Sequence, residues 1–246
     1  MKVLITAGGT REDIDPIRSI TNRSTGRLGS IIADKFAHEG AAVTYLCGSG
    51  SALPTVENIK IIKITNTQSL LLTISSLLEA YKYDCVIHSM AVSDYAPQAV
   101  ISVDDIIENI LSLDGGPTST GIRAAITAAE KPLGSEKISS KHKDLMIQLR
   151  QTPKIIKLIK EIQPDTILVG FKLLSEVSND ELLQAAQDIL VKNNCDYVIA
   201  NDLKDIKGDT HKAFLINKNG ILQSANTKHE IANIIYKTLR RKEGTA

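Results

Sequence analysis

Three stretches near the start of the chain decide its fold: KVLIT (residues 2–6), GRLGSIIADKFAH (residues 26–38) and AVTYL (residues 42–46). The first and third are short and apolar, with many β-branched residues, which is typical of buried strands. The second places its apolar residues at helical spacing, and Gly40 follows it as a stop signal. A strand, a helix and another strand in this order predict a βαβ unit with a parallel sheet and a right-handed crossover.

The same alternation continues through most of the chain. Further strands are predicted at residues 59–64, 85–88, 145–149, 166–171 and 197–200, and further helices at residues 69–81, 153–162, 181–191 and 231–239. Pro153 suits the first turn of its helix. Two apolar runs at residues 213–216 and 221–223 flank NKNG (residues 217–220), which predicts a C-terminal β-hairpin. The predicted fold is α/β: a Rossmann-like, doubly wound, mostly parallel sheet with helices on both faces.

The pattern weakens in the middle of the chain, where small and polar residues dominate, notably in GGPTSTG (residues 115–121). Only two helices are predicted there, at residues 103–113 and 122–130. A long stretch without clear strands is usually functional or an insertion. We therefore predict a single domain over residues 1–246, with an insertion at about residues 97–143 that serves as a flap or a dimerisation arm.

Composition excludes several classes of function. The 246 residues carry a net charge of +1, only 4% are aromatic, and tryptophan is absent, so nucleic acid is not an expected partner. The three cysteines are far apart and are expected to be buried, reduced thiols. The first apolar run is too short for a signal peptide, and no run is long enough to span a bilayer. We therefore expect a cytoplasmic protein with no membrane partner.

Four loops at the ends of predicted strands have unusual polar content. They are TAGGTRE (residues 6–12), HSMAVSDY (residues 88–95), GFKLLSE (residues 170–176) and ANDL (residues 200–203). In open α/β sheets, ligands bind beyond the carboxyl ends of the strands. Any one of these loops could be an ordinary polar turn, but four together favour one cleft.

Two glycine-bearing turns point to two anionic groups in that cleft. Gly8 and Gly9 allow backbone amides to approach a ligand, although neither the G-x-G-x-x-G spacing nor a Walker A loop is present. In the second turn, NRSTGRLG (residues 22–29), Ser24 or Thr25 is expected to cap the following helix, whose free amides would face an anion. Arg23 and Arg27 could add charge-assisted hydrogen bonds.

A segment with three lysines, GSEKISSKHK (residues 134–143), allows two readings. It could be a mobile flap that closes over phosphates, or a solvated loop that carries lysines for solubility. The five histidines, which include His88 and His211, share no ligand spacing. No Ser/His/Asp order or carboxylate pair is persuasive, so no residue is a candidate for covalent nucleophilic catalysis.

Six motifs, which occur in the same order as in the family, together resemble phosphopantothenoylcysteine synthetase. The chain looks like the stand-alone form of this family. They are VLITAGGTRE (residues 3–12), DPIRSITNRSTG (residues 15–26), AVSDY (residues 91–95), EKISS (residues 136–140), VGFKLLSE (residues 169–176) and ANDL. The resemblance implies a ligase of coenzyme A biosynthesis. In it, a nucleoside triphosphate activates 4′-phosphopantothenate as an acyl-nucleotidyl intermediate, pyrophosphate leaves, and L-cysteine attacks to form the amide.

The resemblance also implies roles for individual residues. Asn22 would hold the reacting carboxylate and the acyl intermediate, and Lys137 would close on the triphosphate. Other implied nucleotide contacts are Gly8, Gly9, Thr10, Ser89, Met90, Ala91, Asp94, Pro153, Lys154, Ile155, Ile156, Phe171 and Lys192. The phosphopantothenate contacts are assigned, mainly from the helix N-terminus, to Asn22, Ser24, Thr25, Gly26 and Arg27. No metal ligands are assigned.

Cofactors and partners follow from the same resemblance. We expect Mg²⁺ and a nucleotide co-substrate, with CTP favoured over ATP, and no flavin, because no decarboxylase domain precedes the motifs. Lys137-Ile138-Ser139-Ser140 and GFKLLSE resemble eukaryotic members more than bacterial ones, so ATP stays possible. The family implies a homodimer.

Two alternatives remain open at this stage. The βαβ opening would also suit an NAD(P)-dependent Rossmann-type oxidoreductase, although the glycine fingerprint and a Tyr-x-x-x-Lys pair are missing. A non-catalytic nucleotide-binding module is the other alternative.

Overall fold

The computed structural model describes residues 1–133, 137–139, 141 and 143–243, and only the backbone of residues 241–243. Gly134, Ser135, Glu136, Ser140 and His142 of the predicted flap lie outside the described residues. The chain forms two compact units, the smaller of which consists of Arg11–Asn22 and Ser93–Pro153. The predicted insertion at residues 97–143 falls within this smaller unit. Met1–Thr10, Arg23–Val92 and the chain from Lys154 onward form the larger unit.

The elements are numbered in chain order across both units. The strands are β1 (Lys2–Ala7), β2 (Arg11–Asp13), β3 (Ser19–Thr21), β4 (Ala42–Gly48), β5 (Lys60–Ile64), β6 (Cys85–His88), β7 (Tyr95–Ser102), β8 (Glu130–Pro132), β9 (Leu145–Gln151), β10 (Ile167–Leu174), β11 (Tyr197–Asp202), β12 (Ile206–Lys207), β13 (Thr210–Asn217) and β14 (Gly220–Thr227). The helices are α1 (Arg27–His38), α2 (Thr67–Ala80), α3 (Val103–Leu111), α4 (Ser119–Ala128), α5 (Ile155–Ile162), α6 (Asn179–Lys192) and α7 (Lys228–Glu243).

The larger unit is built on one sheet with six parallel strands in the order β5-β4-β1-β6-β10-β11. Strand β13 joins antiparallel beside β11, and β12 and β14 pair with β13. The predicted C-terminal β-hairpin is thus β13 with β14. The parallel strands have the 3-2-1-4-5-6 order of doubly wound folds, in which the direction of winding reverses between β1 and β6.

Helices cover both faces of this sheet, as the alternation predicted. On one face, α1 and α7 pack against a core that includes Ile5, Phe36 and Ile235, and Phe36 contacts Tyr236 edge-on at 5.4 Å between ring centroids. On the other face, α2, α5 and α6 bury residues such as Leu70 and Ile159. The predicted α/β, doubly wound architecture is therefore confirmed. Pro153 differs from its predicted place: it precedes Lys154, the N-cap of α5, and so lies outside the helix.

The smaller unit contains two small antiparallel sheets. Strands β2 and β3 form a hairpin, and a three-stranded sheet has the order β8-β7-β9. Helices α3 and α4 also belong to this unit. The predicted strand at residues 145–149 exists as β9, but it pairs with β7 instead of continuing the parallel sheet. Strands β2, β3, β7 and β8 were not predicted.

Two further expectations concern the whole chain. Cys47, Cys85 and Cys195 are free and buried, as predicted. Among the described residues, every helix is too short or too polar to cross a membrane.

Candidate active site at the carboxyl ends of the strands

The loops after β1 and β6 are joined where the winding of the sheet reverses. The amide of Ala91 donates to the carbonyl oxygen of Gly8 at 2.8 Å, and the amide of Thr10 donates to the carbonyl oxygen of Ala91 at 3.3 Å. The amide of Ser89 and its hydroxyl both donate to the carbonyl oxygen of Thr6. The structure therefore brings the predicted segments Gly8–Thr10 and Ser89–Ala91 together by backbone hydrogen bonds.

Close packing explains the glycines of the two turns. Gly8 and Gly26 both have left-handed backbone conformations, with φ values of +80° and +70°. A Cβ atom on Gly8 would lie 1.8 Å from Oγ of Ser51, and one on Gly26 would lie 2.9 Å from Cβ of Ser51. The buried Tyr45 hydroxyl fixes the same region by donating to the carbonyl oxygen of Ala52 at 2.8 Å. These glycines thus allow the turns at Gly8, Gly26 and Ser51 to pack against one another. The sequence did not reveal this role.

The N-terminus of α1 differs from its prediction. The N-cap is Gly26, and neither Ser24 nor Thr25 caps the helix, because no side chain among the described residues makes the cap hydrogen bond. Thr25 Oγ1 instead lies 3.4 Å from the amide of Arg27. The amide of Arg27 donates to that oxygen, but no side chain among the described residues caps the amides that follow it, and these amides and the positive end of the helix dipole are available to an anion.

A cavity of about 520 Å³ lies beside this helix end, within the larger unit. Its volume is typical of small-molecule sites, which range from roughly 300 to 1,000 Å³. The predicted residues that line it are Ser24, Thr25, Gly26, Arg27, Ser89, Met90, Ala91 and Phe171. Three of the four polar loops therefore contribute to one cavity, since Asn201 and Leu203 of the fourth predicted motif line it as well.

The charged side chains that line the cavity are positive. Arg23, Arg27, Lys172 and Lys228 line it, and the described lining residues include no aspartate or glutamate. The whole chain has a net charge of only +1, so this concentration of positive charge is local. Such a lining favours an anionic ligand.

Sequence reasoning missed several lining residues, above all His211 and Lys228. His211 begins the buried part of β13 and Lys228 begins α7. Neither belongs to a motif. His211 reaches the cavity because β13 joins the sheet beside β11, and Lys228 reaches it because α7 begins there. The signal that could have found Lys228 is its place at a helix N-terminus, where lysine is not the expected residue.

Some predicted residues are not brought to the cavity. Gly8, Gly9 and Thr10 are not among its described lining residues. Ile155 is 2% exposed and packs in the core of the larger unit, and Ile156 packs beside that core. Lys154 is the exposed N-cap of α5. Lys192 ends α6, which runs back from the carboxyl end of β10 to the start of β11, so it lies at the amino-terminal ends of the strands, away from the cavity.

A buried carboxylate fixes the two loops that follow β10 and β11. Asp202 Oδ1 accepts from the amides of Glu176 and Lys204, both at 3.0 Å, and Oδ2 accepts from the amide of Val177 at 3.0 Å. The ammonium group of Lys204 lies 3.0 Å from Oδ2. Burial opposes ionisation of Asp202, but these hydrogen bonds outweigh it and hold the pKa well below its usual value.

His88 lies beneath the loop after β6, not in the cavity. It is buried, and its Nδ1 lies 2.8 Å from Oγ1 of Thr6. Burial lowers the pKa of His88 from 6.5 to about 4, so the imidazole is neutral at pH 7. It is therefore a packed histidine.

The remaining predicted site residues belong to the smaller unit. Asn22 follows β3 and is exposed, and Lys137 is exposed as well. Asp94 is exposed, and its carbonyl oxygen accepts from the amide of Thr152 at 3.0 Å, one residue before Pro153. The structure thus places the backbone of Asp94 close to the Pro153 turn.

The chain beside Lys137 is held by a buried carboxylate of the same unit. Asp15 Oδ2 accepts from Nε of Arg18 at 2.9 Å and from the amide of Ile138 at 3.2 Å. Nη2 of Arg18 also donates to the carbonyl oxygen of Ile138 at 3.2 Å. The hydrogen bond from Arg18 contributes most to a lowered pKa of Asp15. The residue next to Lys137, Ile138, is therefore hydrogen-bonded to the turn between β2 and β3.

Comparisons with known proteins show the family of this chain. The family model of the DNA/pantothenate metabolism flavoprotein C-terminal domain matches residues 1–104 and 121–242. The coenzyme A biosynthesis bifunctional protein CoaBC of Thermococcus kodakarensis is 32% identical over 98% of this chain. The match covers 51% of that relative, so the chain spans about half the length of the relative.

Solved structures give the same result. The DNA/pantothenate metabolism flavoprotein from Streptococcus pneumoniae is 37% identical, with a TM-score of 0.84 and coverage of 98% of this chain and 99% of that one. The C-terminal domain of a coenzyme A biosynthesis bifunctional protein CoaBC has a TM-score of 0.67 at 24% identity, over 100% of this chain and 96% of that one, and supports the fold. The resemblance of the motifs to this family is thereby confirmed. The chain belongs to the family of the DNA/pantothenate metabolism flavoprotein C-terminal domain.

Proposed function

We propose that this chain is a phosphopantothenate–cysteine ligase of coenzyme A biosynthesis. The observation that carries the proposal is the positively charged cavity beside the uncapped N-terminus of α1, in a chain of this family. Phosphopantothenate has a phosphate at one end and a carboxylate at the other. The N-terminus of α1 and Arg27 suit the phosphate, and Met90 and Phe171, which are proposed nucleotide contacts, line the same cavity.

The proposed reaction has two steps. A carboxylate oxygen of 4′-phosphopantothenate attacks the α-phosphorus of the nucleotide, and the bond to the β-phosphate breaks to release pyrophosphate. The amine of L-cysteine then attacks the acyl carbon, the bond to the nucleotide oxygen breaks, and the nucleoside monophosphate leaves while the amine loses a proton. Neither step needs a protein nucleophile, so the chain would act by positioning and by stabilising charge.

Asn22 and Lys137 have the catalytic roles in this proposal. A neutral asparagine amide can donate to the carboxylate without the ion pair that would reduce its nucleophilicity. Lys137 would neutralise charge on the triphosphate, and Asp94 would contact the nucleotide. Gly8, Gly9 and Thr10 are retained as candidate phosphate contacts because the loop that contains them is tied to Ser89–Ala91.

Mg²⁺ is proposed to arrive with the nucleotide. The described residues contain no group of three histidine, cysteine, aspartate or glutamate side chains that could hold a resident ion. This arrangement fits Mg²⁺, which commonly binds substrate phosphates and one or two carboxylates. The ion would neutralise charge on the leaving pyrophosphate.

Two further parts of the proposal are the assembly and the cellular location. Leu145, Ile147 and Leu149 alternate along β9 and share one face, yet they are 37%, 40% and 44% exposed. An apolar row of this kind favours an interface, and we propose a homodimer. A cytoplasmic location fits the three free cysteines.

A single assay tests the ligase proposal. Phosphopantothenoylcysteine is measured with 4′-phosphopantothenate, L-cysteine, Mg²⁺ and either CTP or ATP, with each component omitted in turn. We expect product only when all are present, and faster turnover with CTP. The variant Asn22→Asp should fold and bind nucleotide but lose nearly all amide formation. Unchanged turnover in that variant would exclude Asn22 from the mechanism, and no product from the native chain would exclude the proposal.

A further inference from the structure

Tyr45 is a buried residue whose hydroxyl group lies close to the turn before α1. It belongs to β4, its exposed fraction is 0%, and none of the six family motifs contains it. The hydroxyl donates to the carbonyl oxygen of Ala52 at 2.8 Å and lies 3.4 Å from the carbonyl oxygen of Gly26, the N-cap of α1. A phenylalanine would fill the same space without bringing a polar atom into the core, so the hydroxyl calls for an explanation.

A chain of hydrogen bonds leads from this hydroxyl to the turn. The carbonyl group of Ala52 accepts from Tyr45, and the amide of the same residue donates to the carbonyl oxygen of Thr25 at 2.9 Å. Gly26 follows Thr25, and its carbonyl oxygen accepts from the amide of Ser30 at 3.0 Å, which is the first hydrogen bond within α1. These bonds connect the middle of β4 to the first turn of the helix.

The loop after β4 is also bonded directly to α1. Oδ1 of Asp34 accepts from the amides of Thr55 and Val56 at 2.7 and 2.9 Å. Oδ2 of Asp34 accepts from the hydroxyl of Thr55 at 3.0 Å. The loop that carries Ala52 is therefore held between the sheet, through Tyr45, and the helix, through Asp34, so it can hold the turn before α1 in one position.

Close packing is a second constraint on the first turn of α1. A Cβ atom on Gly29 would lie 2.4 Å from Cβ of Ala7 and 2.9 Å from Oγ of Ser89, so the helix is in close contact with the end of β1 and the loop after β6. Leu28 and Gly29, whose amides follow that of Arg27, both line the cavity. The amides that are available to an anion are thus fixed by packing and by the loop after β4.

We infer that Tyr45 is a positioning residue for the anion site at the N-terminus of α1. Its hydroxyl holds the turn at Thr25 and Gly26, and this turn directs the amides of the first helical turn toward a bound phosphate group. Preorganised amides stabilise an anion without first having to reorient, and a small displacement of the helix end weakens hydrogen bonds that depend on distance and angle. Tyr45 is not among the described residues that line the cavity, so it acts through the turn. The inference rests on the proposed function only in that the substrates carry phosphate groups.

Steady-state kinetics of Tyr45→Phe tests this role. The substitution removes one oxygen atom and keeps the ring. We expect the KM of a phosphorylated substrate, the nucleotide or 4′-phosphopantothenate, to rise at least about fivefold, and kcat to fall by a smaller factor. The KM that rises identifies the substrate whose phosphate lies at α1. The KM for L-cysteine, which carries no phosphate, should be unchanged.

Tyr83→Phe is the matched control. Tyr83 is 5% exposed, its hydroxyl lies 3.4 Å from Oγ1 of Thr44, and it precedes β6 at the amino-terminal end of that strand. This variant loses the same atom from a buried position at the opposite ends of the strands. Its KM values should equal those of the native chain, even if its Tm falls as much as that of Tyr45→Phe.

Amide NMR with inorganic pyrophosphate measures the site without turnover. In the native chain and in Tyr83→Phe, pyrophosphate should shift the amide resonances of Leu28 and Gly29. In Tyr45→Phe, the Kd obtained from the same shifts should increase at least about fivefold. If this pattern is found and the native chain forms no phosphopantothenoylcysteine, the ligase proposal alone is rejected and the inference stands.

Three results would overturn the inference and leave the ligase proposal intact. The first is a native pyrophosphate affinity in Tyr45→Phe, whatever its Tm. The second is an absence of shifts at Leu28 and Gly29 in the native chain. The third is an equal rise in the KM for L-cysteine, because the effect would then not depend on phosphate. If Tyr45→Phe does not fold, Asp34→Ala takes its place, since it releases the same loop from α1. It should weaken pyrophosphate binding at least about twofold, and native affinity in that variant would equally overturn the inference.

Discussion

The buried carboxylate of Asp202 accepts a hydrogen bond from the amide of Glu176, 3.0 Å away, and so joins the loop after β10 to the end of β11. Three amides and one ammonium group converge on this carboxylate. The residue before it, Asn201, lines the cavity. Asp202 therefore fixes one wall of the candidate site without lining the cavity itself.

We predict that Asp202→Asn lowers both stability and substrate affinity. The neutral amide cannot accept all of these hydrogen bonds, and its NH₂ group would face donors. The Tm should fall by several degrees, and the KM for phosphopantothenate should rise more than kcat falls. Asp205→Asn, in the same short turn, is the control. Thermal unfolding and steady-state kinetics provide the measurements, and a variant with native Tm and KM would contradict the prediction.

The low pKa of Asp202 gives this prediction a pH dependence. The carboxylate is more acidic in the folded chain than in the unfolded chain, so it stabilises the fold fully above the ordinary pKa of 3.8. That contribution is lost as the pH falls below 3.8 toward the folded-state pKa. The difference in Tm between the native chain and Asp202→Asn should therefore be constant at neutral pH and shrink in acid.

A second prediction concerns the packing of the Gly8 turn. Gly8 and Gly40 both have φ near +80°, but a Cβ on Gly40 would meet no atom within 4 Å, whereas one on Gly8 would collide with Ser51. Gly40→Ala should cost about 1 kcal/mol from backbone strain alone. Gly8→Ala should cost clearly more, because Ser51 must also move. Urea unfolding measures both variants.

The double variant Gly8→Ala/Ser51→Gly tests the cause of that difference. Removing the Ser51 side chain should recover the steric part of the loss and leave the strain that Gly40→Ala also shows. Equal costs for Gly8→Ala and Gly40→Ala would mean that the turn relaxes freely, and the packing argument for this glycine would then be wrong.

Much of the larger unit could be predicted because its signals are local. Parallel strands buried on both faces are short apolar runs, and each helix between them has a strong periodicity or a clear start. Helix α6, for example, begins with a capping box formed by Ser178 and Glu181. The smaller unit offered fewer signals. Strand β7 contains Pro97 beside a register shift, and its paired residues in β9 lie 43 (Ser102 and Leu145) to 56 (Tyr95 and Gln151) positions later, so no local pattern could reveal this pairing.

The part of the candidate site that is formed by loops at the carboxyl ends of the parallel strands could be predicted from the sequence. The loops that contain Ser89 and Phe171 were predicted because carboxyl-end loops of parallel strands converge, whereas these two residues were named from the family resemblance. The turn before α1 was predicted from its glycine and from the helix that follows it. His211 and Lys228 were not found, since they reach the cavity through an antiparallel strand and a helix added after the parallel order. Their neighbours in sequence, such as Asp209 and Lys212, are polar, and nothing local indicates that His211 is buried.

A third prediction uses the neutral, buried His88. Its pKa is about 4 in the folded chain and near 6.5 when unfolded, so the unfolded chain binds the proton first as the pH falls. Stability is therefore unaffected above pH 6.5 and decreases between about pH 6.5 and 4, by on the order of 3 kcal/mol for this residue. In His88→Gln the free energy of unfolding should depend less on pH in that range. Urea unfolding at several pH values measures the slope.

Two comparisons make the His88 test specific. His211 is also buried with a pKa of about 4, so the slope in His88→Gln should decrease but not vanish. His38 is exposed at the end of α1, so His38→Gln serves as the control for replacing a surface histidine. An identical slope in the native chain and His88→Gln would show that this imidazole accepts a proton while folded.

The last prediction tests the proposed homodimer at β9. Ile147 lies in the middle of the apolar row that Leu145 and Leu149 complete. A glutamate there would have to lose its hydration in an interface, whereas in a monomer it would remain in water. Ile147→Glu should therefore shift the protein from dimer to monomer in sedimentation velocity experiments. Leu111→Glu, on α3 of the same unit, is the control, because Leu111 is 80% exposed and outside the row. A dimer that persists in Ile147→Glu, or a native chain that is monomeric at micromolar concentration, would remove β9 as the interface.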